Sequence, residues 1–186
     1  MAVKTPIGVL SFAHIFQPKP RAQGREPEYS CVLIFDAEAQ KSPAYKDLKA
    51  AVLEAIADKW GEAKSKDANF IKKLQLPFRD AGEKDYQGYG EGKIFIQPWS
   101  KLKPGIVDRD RNDILTASDV WAGQLARAFI NPFAWENSGK MGVSFALEHV
   151  QITKQDMPRL DGRKDAKSAF DDDLPADAGE LEDAPF

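Results

Sequence analysis

The stretch WAGQLARAFINPFAWENSGKMGVSFALEHVQI, Trp121 to Ile152, decides the fold class. It holds two strand-like runs, Trp121 to Phe133 and Gly142 to Ile152, on either side of WENSGK. The Ser138-Gly139 pair within that connection is a turn signal, so the two runs predict a β-hairpin. Alternation along the first run sets Leu125, Arg127, Phe129, Asn131 and Phe133 against Ala126, Ala128 and Ile130. Two readings of that alternation stay open. Leu125, Phe129 and Phe133 can form the core side, which is where Phe129 is assigned, or the row can face a ligand with Arg127 as its cation.

Working outward, Ile7–Phe16 (IGVLSFAHIF) and Tyr29–Phe35 (YSCVLIF) read as two more strands. The loop between them, QPKPRAQGREPE, carries three prolines, one glycine and the cations Lys19, Arg21 and Arg25. A helix is predicted from Ser42-Pro43, with Tyr45, Leu48, Ala51, Val52, Ala55, Ile56 and Trp60 at helical spacing and Gly61 as its stop. A shorter helical piece covers 67–74. Lys93 to Trp99 is the fifth principal strand. Five strands with a helical insertion after the second make a mainly β, α+β chain, and strands of this length favour a small barrel or sandwich over a doubly wound sheet.

The strand Lys93–Trp99 is the most readable candidate site. Ile94 and Ile96 share an aliphatic face that belongs in the core, whereas Lys93, Phe95, Gln97 and Trp99 share the other. A face that interleaves a cation, two aromatics and an amide suits base stacking with phosphate neutralisation. Arg79, Tyr86 and Tyr89 flank it on one side, with Lys84, and Lys101, Arg109 and Arg111 on the other, with Lys103. Glycines at 82, 88, 90 and 92 loosen the tyrosine loop. Aromatics and cations on such loops are the components of a sequence-tolerant groove for a single nucleic-acid strand.

An enzyme finds little to work with. His14 and His149 are the only histidines, both inside strand-like runs, and no GxxxxGK[ST] phosphate loop is present. Asp108, Asp110 and Asp113 could hold a divalent ion for a nuclease, but Arg109 and Arg111 interleave with them in the manner of a solvated, self-paired loop. No catalytic residue, metal or cofactor is assigned.

Charge divides the chain. The last sixteen residues, DDDLPADAGELEDAPF, hold seven carboxylates and no basic residue, and end on phenylalanine. Too little apolar surface is available there to offset the entropy of ordering, so 171–186 is expected to be a disordered acidic tail. Residues 1–170 carry 26 basic against 22 acidic residues, a net +4 behind an overall isoelectric point of about 5.5. A mildly basic body with an acidic appendage suggests a polyanion partner for the body, and another partner or self-competition for the tail. Cys31 is the single cysteine and sits in an apolar run, as a buried structural thiol would. No run is apolar enough to span a membrane and no signal sequence is evident, so the expected setting is the cytoplasm, without a membrane partner.

The ending DDDL…LEDAPF is similar to the acidic tails of bacterial and phage single-stranded DNA-binding proteins. The body resembles a phage family of such proteins, formerly catalogued as a domain of unknown function, through QPWSKLKPGIVD and the Trp121–Ile152 stretch. That resemblance spans most of 1–155 and is clearest over 93–152. It implies an OB-fold barrel with a helical insertion, placed at 1–155, and composition sets a basic-leaning linker at 156–170 between it and the tail at 171–186. It further implies sequence-independent binding of single-stranded DNA in replication or recombination. Carried onto this chain, Asp171, Asp172, Asp173, Glu180, Glu182, Asp183 and Phe186 would recruit replication or recombination proteins and compete with DNA. A strand-annealing mediator, the metal-dependent nuclease and a plain interaction protein are the alternatives, and homo-oligomerisation is left open.

Overall fold

The hairpin forms, and is the longest ladder among the described residues. In the computed structural model, which describes residues 1–164 and Ala169, β8 (Leu125–Asn137) runs against β9 (Lys140–Lys154). Ser138 and Gly139 close it with φ of 50° and 78°. Two consecutive positive φ angles give the turn whose twist matches that of the strands. Pairing extends past the predicted end at Phe133 to Asn137, so WENSGK is mostly strand and the loop has only two residues.

The remaining strands are β1 (Val3–Lys4), β2 (Gly8–Pro20), β3 (Pro27–Phe35), β4 (Arg79–Asp80), β5 (Ile94–Ile96), β6 (Trp99–Ser100) and β7 (Gly105–Val107). Among the described residues nine strands make one sheet, and β2–β3, β3–β6, β6–β9, β9–β8 and β8–β2 pair in a closed circuit. Such a circuit is the connectivity a small barrel requires, since it leaves no open edge among its members. The predicted strand 93–99 is split into β5 and β6 at Gln97-Pro98, because proline has no N–H to donate to a ladder. Beyond the break, β6 meets β9 in parallel, Trp99 opposite Ala146.

Between β3 and β4 come α1 (Ala37–Lys41), α2 (Pro43–Trp60), α3 (Glu62–Ser65) and α4 (Ala68–Ile71). α2 starts at Ser42, whose hydroxyl accepts from the Tyr45 N–H, has proline in its first turn, and stops at Gly61 with φ 91°. Tyr45, Leu48, Ala51, Val52 and Ile56 bury its inner stripe against the strands, with β1, β8 and β9 as neighbours. Leu10, Ile15, Leu33, Phe35, Ile96, Ile130, Phe145 and Ile152 fill the centre of the circuit. Cys31 is fully buried there, and burial pushes its thiol up to about 12, so it is chemically inert at neutral pH.

Two expectations are corrected. Phe95 is 4% exposed and does not face an open groove. Both sides of β5 are covered: Ile96 enters the main core, and Phe95 joins Val32, Ile34 and Ala81 in a second cluster beneath the loop that carries Tyr89. Phe129 is not on the core side either. The buried row of β8 is Ala126, Ala128, Ile130 and Pro132, and Phe129 lies half-buried on the opposite row, its ring parallel to His149 within 8°.

The predicted strand start at Trp121 is a turn instead. Buried Gln124 organises it: its amide donates to the Asp119 and Gln155 carbonyls and accepts from the Trp121 N–H. After β9 the chain stays on the domain to Leu160, whose N–H donates to Ala122, while the Trp121 indole donates to the Met157 carbonyl. Among the described residues no helix is long and apolar enough to cross a membrane. Asp171, Asp172, Asp173, Glu180, Glu182, Asp183 and Phe186 lie outside the described residues.

Candidate nucleic-acid interface

The outward face of the circuit can be read from its registers. On β3, Leu33 and Phe35 point to the core while Val32 and Ile34 enter the second cluster, so Ser30 and Glu28 continue the outward row. Ser30 is opposite Trp99 on one side and His14 on the other, which places Trp99 and His14 on that same face. On β8 the outward row ends with Asn131, Phe133 and Trp135, facing Ala146, Ser144 and Gly142 of β9.

These rows converge on a cleft of about 510 Å³ between the β2–β3 and β8–β9 hairpins. Its aromatic walls are Trp99, Phe133 and Trp135, and its cations are Arg21, Arg25 and Arg79. Gln75, Gln97, Asn137 and Ser144 supply amide and hydroxyl groups, and no carboxylate is among the described residues that line it. Small residues make the shape possible. Trp99 and Asn131 are both opposite Ala146, and over that short side chain the Trp99 and Phe133 rings meet edge to face at 6.0 Å. Beneath Trp135, Gly142 leaves no room for a side chain, since a Cβ there would stand 2.6 Å from the Gln75 carbonyl and 2.7 Å from the indole. The indole N–H donates to Ser144 at 3.0 Å, which fixes the ring.

Arg21 is the best-defined cation. Its Nε donates to Glu28 at 2.6 Å, with both side chains largely buried, and its guanidinium lies 4.4 Å from the Trp99 ring centroid. The stacking face of Trp99 is therefore covered by a cation that is itself held by a carboxylate. Gln75 reaches the cleft because the chain after α4 bridges to β9 through its N–H to Met141 and its carbonyl to Val143.

The ten residues proposed for DNA contact divide among several places. Arg79 and Trp99 are in the cleft. Lys101, just beyond, is exposed and pairs with Glu26 at 3.4 Å. Tyr86 and Tyr89 sit above the second cluster: Tyr89 packs on Phe95 and Tyr86, and Tyr86 on Phe12. Burial pushes the Tyr89 phenol above its ordinary range, against a smaller pull from Ser11. Lys93 donates to the Gly88 carbonyl and borders a mostly apolar pocket of about 590 Å³ that Arg127 reaches from the other side.

Arg127 donates to Gln151, whose amide donates to the carbonyls of Asp108 and Arg109. Arg109 and Arg111 thus sit on an exposed loop at the far end of β8 from Trp135. In that loop the Asp108 carboxylate accepts from the Asn112 side chain, the Asn112 N–H and the Asp110 N–H, and these bonds hold it below the usual carboxylate range. Its oxygens close the loop. Among the described residues, no three His, Cys, Asp or Glu side chains gather as metal ligands would.

Arg21, Arg25, Trp135 and the amides of Gln75 and Asn137 carry no site assignment from sequence, and Phe133 carries one only in the ligand-facing reading of its row. The basic loop and the WENSGK turn were visible signals. That they face one another across Trp99 follows only from the closing of the circuit.

The fold has relatives of known structure. The single-stranded DNA-binding protein of bacteriophage Enc34 in complex with ssDNA superposes with a TM-score of 0.67 at 21% identity, over 84% of this chain and 88% of that one. The same phage protein on its own gives 0.66 at 22%, over 91% and 90%. Gp2.5, a single-stranded DNA-binding protein encoded by bacteriophage T7, gives 0.58 at 14%, over 85% and 88%. No curated protein matches the chain. At these identities the structures attest the fold, and lineage comes from the sequence profile, which matches from residue 1 to residue 181. By that match the chain belongs to the family of the Enterobacter phage Enc34 ssDNA-binding protein.

Proposed function

We propose that this chain binds single-stranded DNA without sequence preference, as a binding protein and not an enzyme, and that the cleft between the two hairpins is where the strand lies. The observation that carries the assignment of the site is the cleft's composition: three aromatic rings and three arginines around amides, with no carboxylate among the described residues that line it. Aromatic faces accept any base, and guanidinium groups pair with phosphates, so such a groove holds a strand by its backbone and stacking. In barrels with this connectivity the strand 2–3 face and the first and last hairpins form the oligonucleotide site. Here those are β3 with β5 and β6, the β2–β3 hairpin and the β8–β9 hairpin.

The acidic tail supplies the rest of the reading. Its seven carboxylates and terminal Phe186 offer the charge of a phosphate chain and one aromatic ring, so it competes with DNA for the body. When displaced by DNA, it is available to proteins of replication or recombination. The net +4 of residues 1–170 against the tail supports this division of labour.

Titration with oligo(dT), followed by tryptophan fluorescence, tests both parts. Binding should quench the signal and weaken steeply with salt as counterions are released. Absence of quenching at low salt, with residues 171–186 also removed, would refute the binding function. Deleting 171–186 should raise affinity, and an unchanged affinity and salt slope would refute competition by the tail.

A further inference from the structure

We infer that the pocket formed by Phe12, Tyr86, Trp121 and Arg159 is a second subsite for the same DNA strand, reached from the cleft past His14. The inference rests on the reading of the cleft as a single-strand site. Phe12 is the observation that starts it. At the break in register between Ser11 and His14 on β2, Phe12 takes φ 41°, in the left-handed region that favours glycine, and the residue is 44% exposed. A strained backbone that presents an aromatic ring to solvent does not serve the core, and such outliers collect at binding sites.

The ring is not alone. Tyr86, 55% exposed, meets Phe12 edge to face at 5.3 Å. Opposite them, Trp121 is fixed by its indole bond to the Met157 carbonyl and carries the Arg159 guanidinium 4.8 Å from its ring centroid. The pocket measures about 500 Å³, which accommodates a base. Asp161 also borders it and stands 3.8 Å from Arg159, so the cation is partly offset. Stacking is thus the larger part of what this pocket offers a strand.

Continuity with the cleft selects DNA as the occupant. Trp99, Ser30 and His14 are register partners on three adjacent strands and share one face of the sheet, where Trp99 and His14 are half-buried and Ser30 is covered. Strand spacing puts Trp99 and His14 about 10 Å apart, and Phe12 is two residues further along β2. Midway, the buried Ser30 hydroxyl has no hydrogen-bond partner among the described residues. The loop that begins with Arg79 in the cleft carries Tyr86 to the pocket. One strand can therefore touch both.

The full chain carrying Phe12→Gly with Tyr86→Ala tests this, because glycine adopts φ 41° without strain and the fold is preserved. Oligo(dT) of about 5 and about 16 nucleotides brackets the reach of one such barrel. The double variant should bind the longer oligonucleotide about tenfold more weakly and the shorter one within about twofold of the parent, as expected when one stacked base is lost. An unchanged affinity for both lengths would overturn the subsite, and so would equal losses on both. A gain in affinity that vanishes when residues 171–186 are deleted would give the pocket to the chain's own tail and overturn it as well. Failure of the parent to bind either length would instead overturn the reading of the cleft.

Discussion

The guanidinium of Arg21 lies 4.4 Å from the centre of the Trp99 ring while its Nε holds Glu28 at 2.6 Å. This arrangement joins the β2–β3 hairpin to the aromatic wall of the cleft before any DNA is present. The ring that should stack on a base is covered by the cation that should meet a phosphate. Binding would exchange one partner for the other: Arg21 moves from ring to backbone, and a base takes its place on the indole.

Trp99→Ala should therefore be the most damaging single change to binding. Loss of a stacked base costs about 1–3 kcal/mol, or roughly 5- to 150-fold in affinity. The indole is half-buried against Phe133 but outside the main core, so the thermal midpoint should fall much less. Fluorescence anisotropy of labelled oligo(dT), beside a thermal melt, separates the two effects. An affinity within twofold of the parent would remove Trp99 from the site.

Glu28→Gln should act in the opposite direction. It releases Arg21 from its carboxylate, and each cation that becomes available to a phosphate steepens the salt dependence of single-strand binding by about 0.7 in the log–log slope. The predicted outcome is tighter binding at low salt with a steeper slope. A weaker complex with an unchanged slope would mean that Glu28 positions Arg21 for DNA instead of withholding it.

Arg79→Ala removes a cleft cation that is exposed on β4. Affinity should fall at low salt, and the slope should flatten by about 0.7, with little change in stability. Arg111→Ala, on the loop at the far end of β8, serves as the comparison. If Arg111 alone changes the slope, the strand runs along the other end of the barrel.

Gly142→Ala should disturb the cleft from below. The new methyl group would press against both the Gln75 carbonyl and the Trp135 ring and force them away from β9. Overpacking of this kind costs about 1–3 kcal/mol. Urea denaturation should show that loss, and near-ultraviolet circular dichroism should register the displaced indole.

Acid should weaken the fold through His14. Burial first, and Lys19 second, hold its pKa below the ordinary 6.5. The unfolded chain thus takes up the proton at higher pH than the folded one. The stability linked to neutral His14 is complete above 6.5 and is lost as pH falls from there through the lower folded value. In His14→Gln, the drop in urea midpoint between about pH 7.5 and about pH 5.5 should be smaller than in the parent. An identical drop in both would show that other groups account for it.

Residues alone determined a good deal of this protein. Helical spacing from Tyr45 to Trp60, with Ser42-Pro43 and Gly61 at its ends, fixes α2, because capping and periodicity are local properties. Ser138-Gly139 fixes the hairpin turn for the same reason. Alternation on β8 separated two rows but left open which was inside and placed Phe129 with the core, and alternation along 93–99 placed Phe95 in the open. Period-two patterning identifies faces, whereas burial depends on what covers each face. Only the tertiary structure decided that the loop carrying Tyr89 covers Phe95, and that Ala126, Ala128 and Ile130 point inward. It also assembled the cleft. Arg21 and Trp135 are more than a hundred residues apart in sequence, and closure of the strand circuit is what sets them across one cleft.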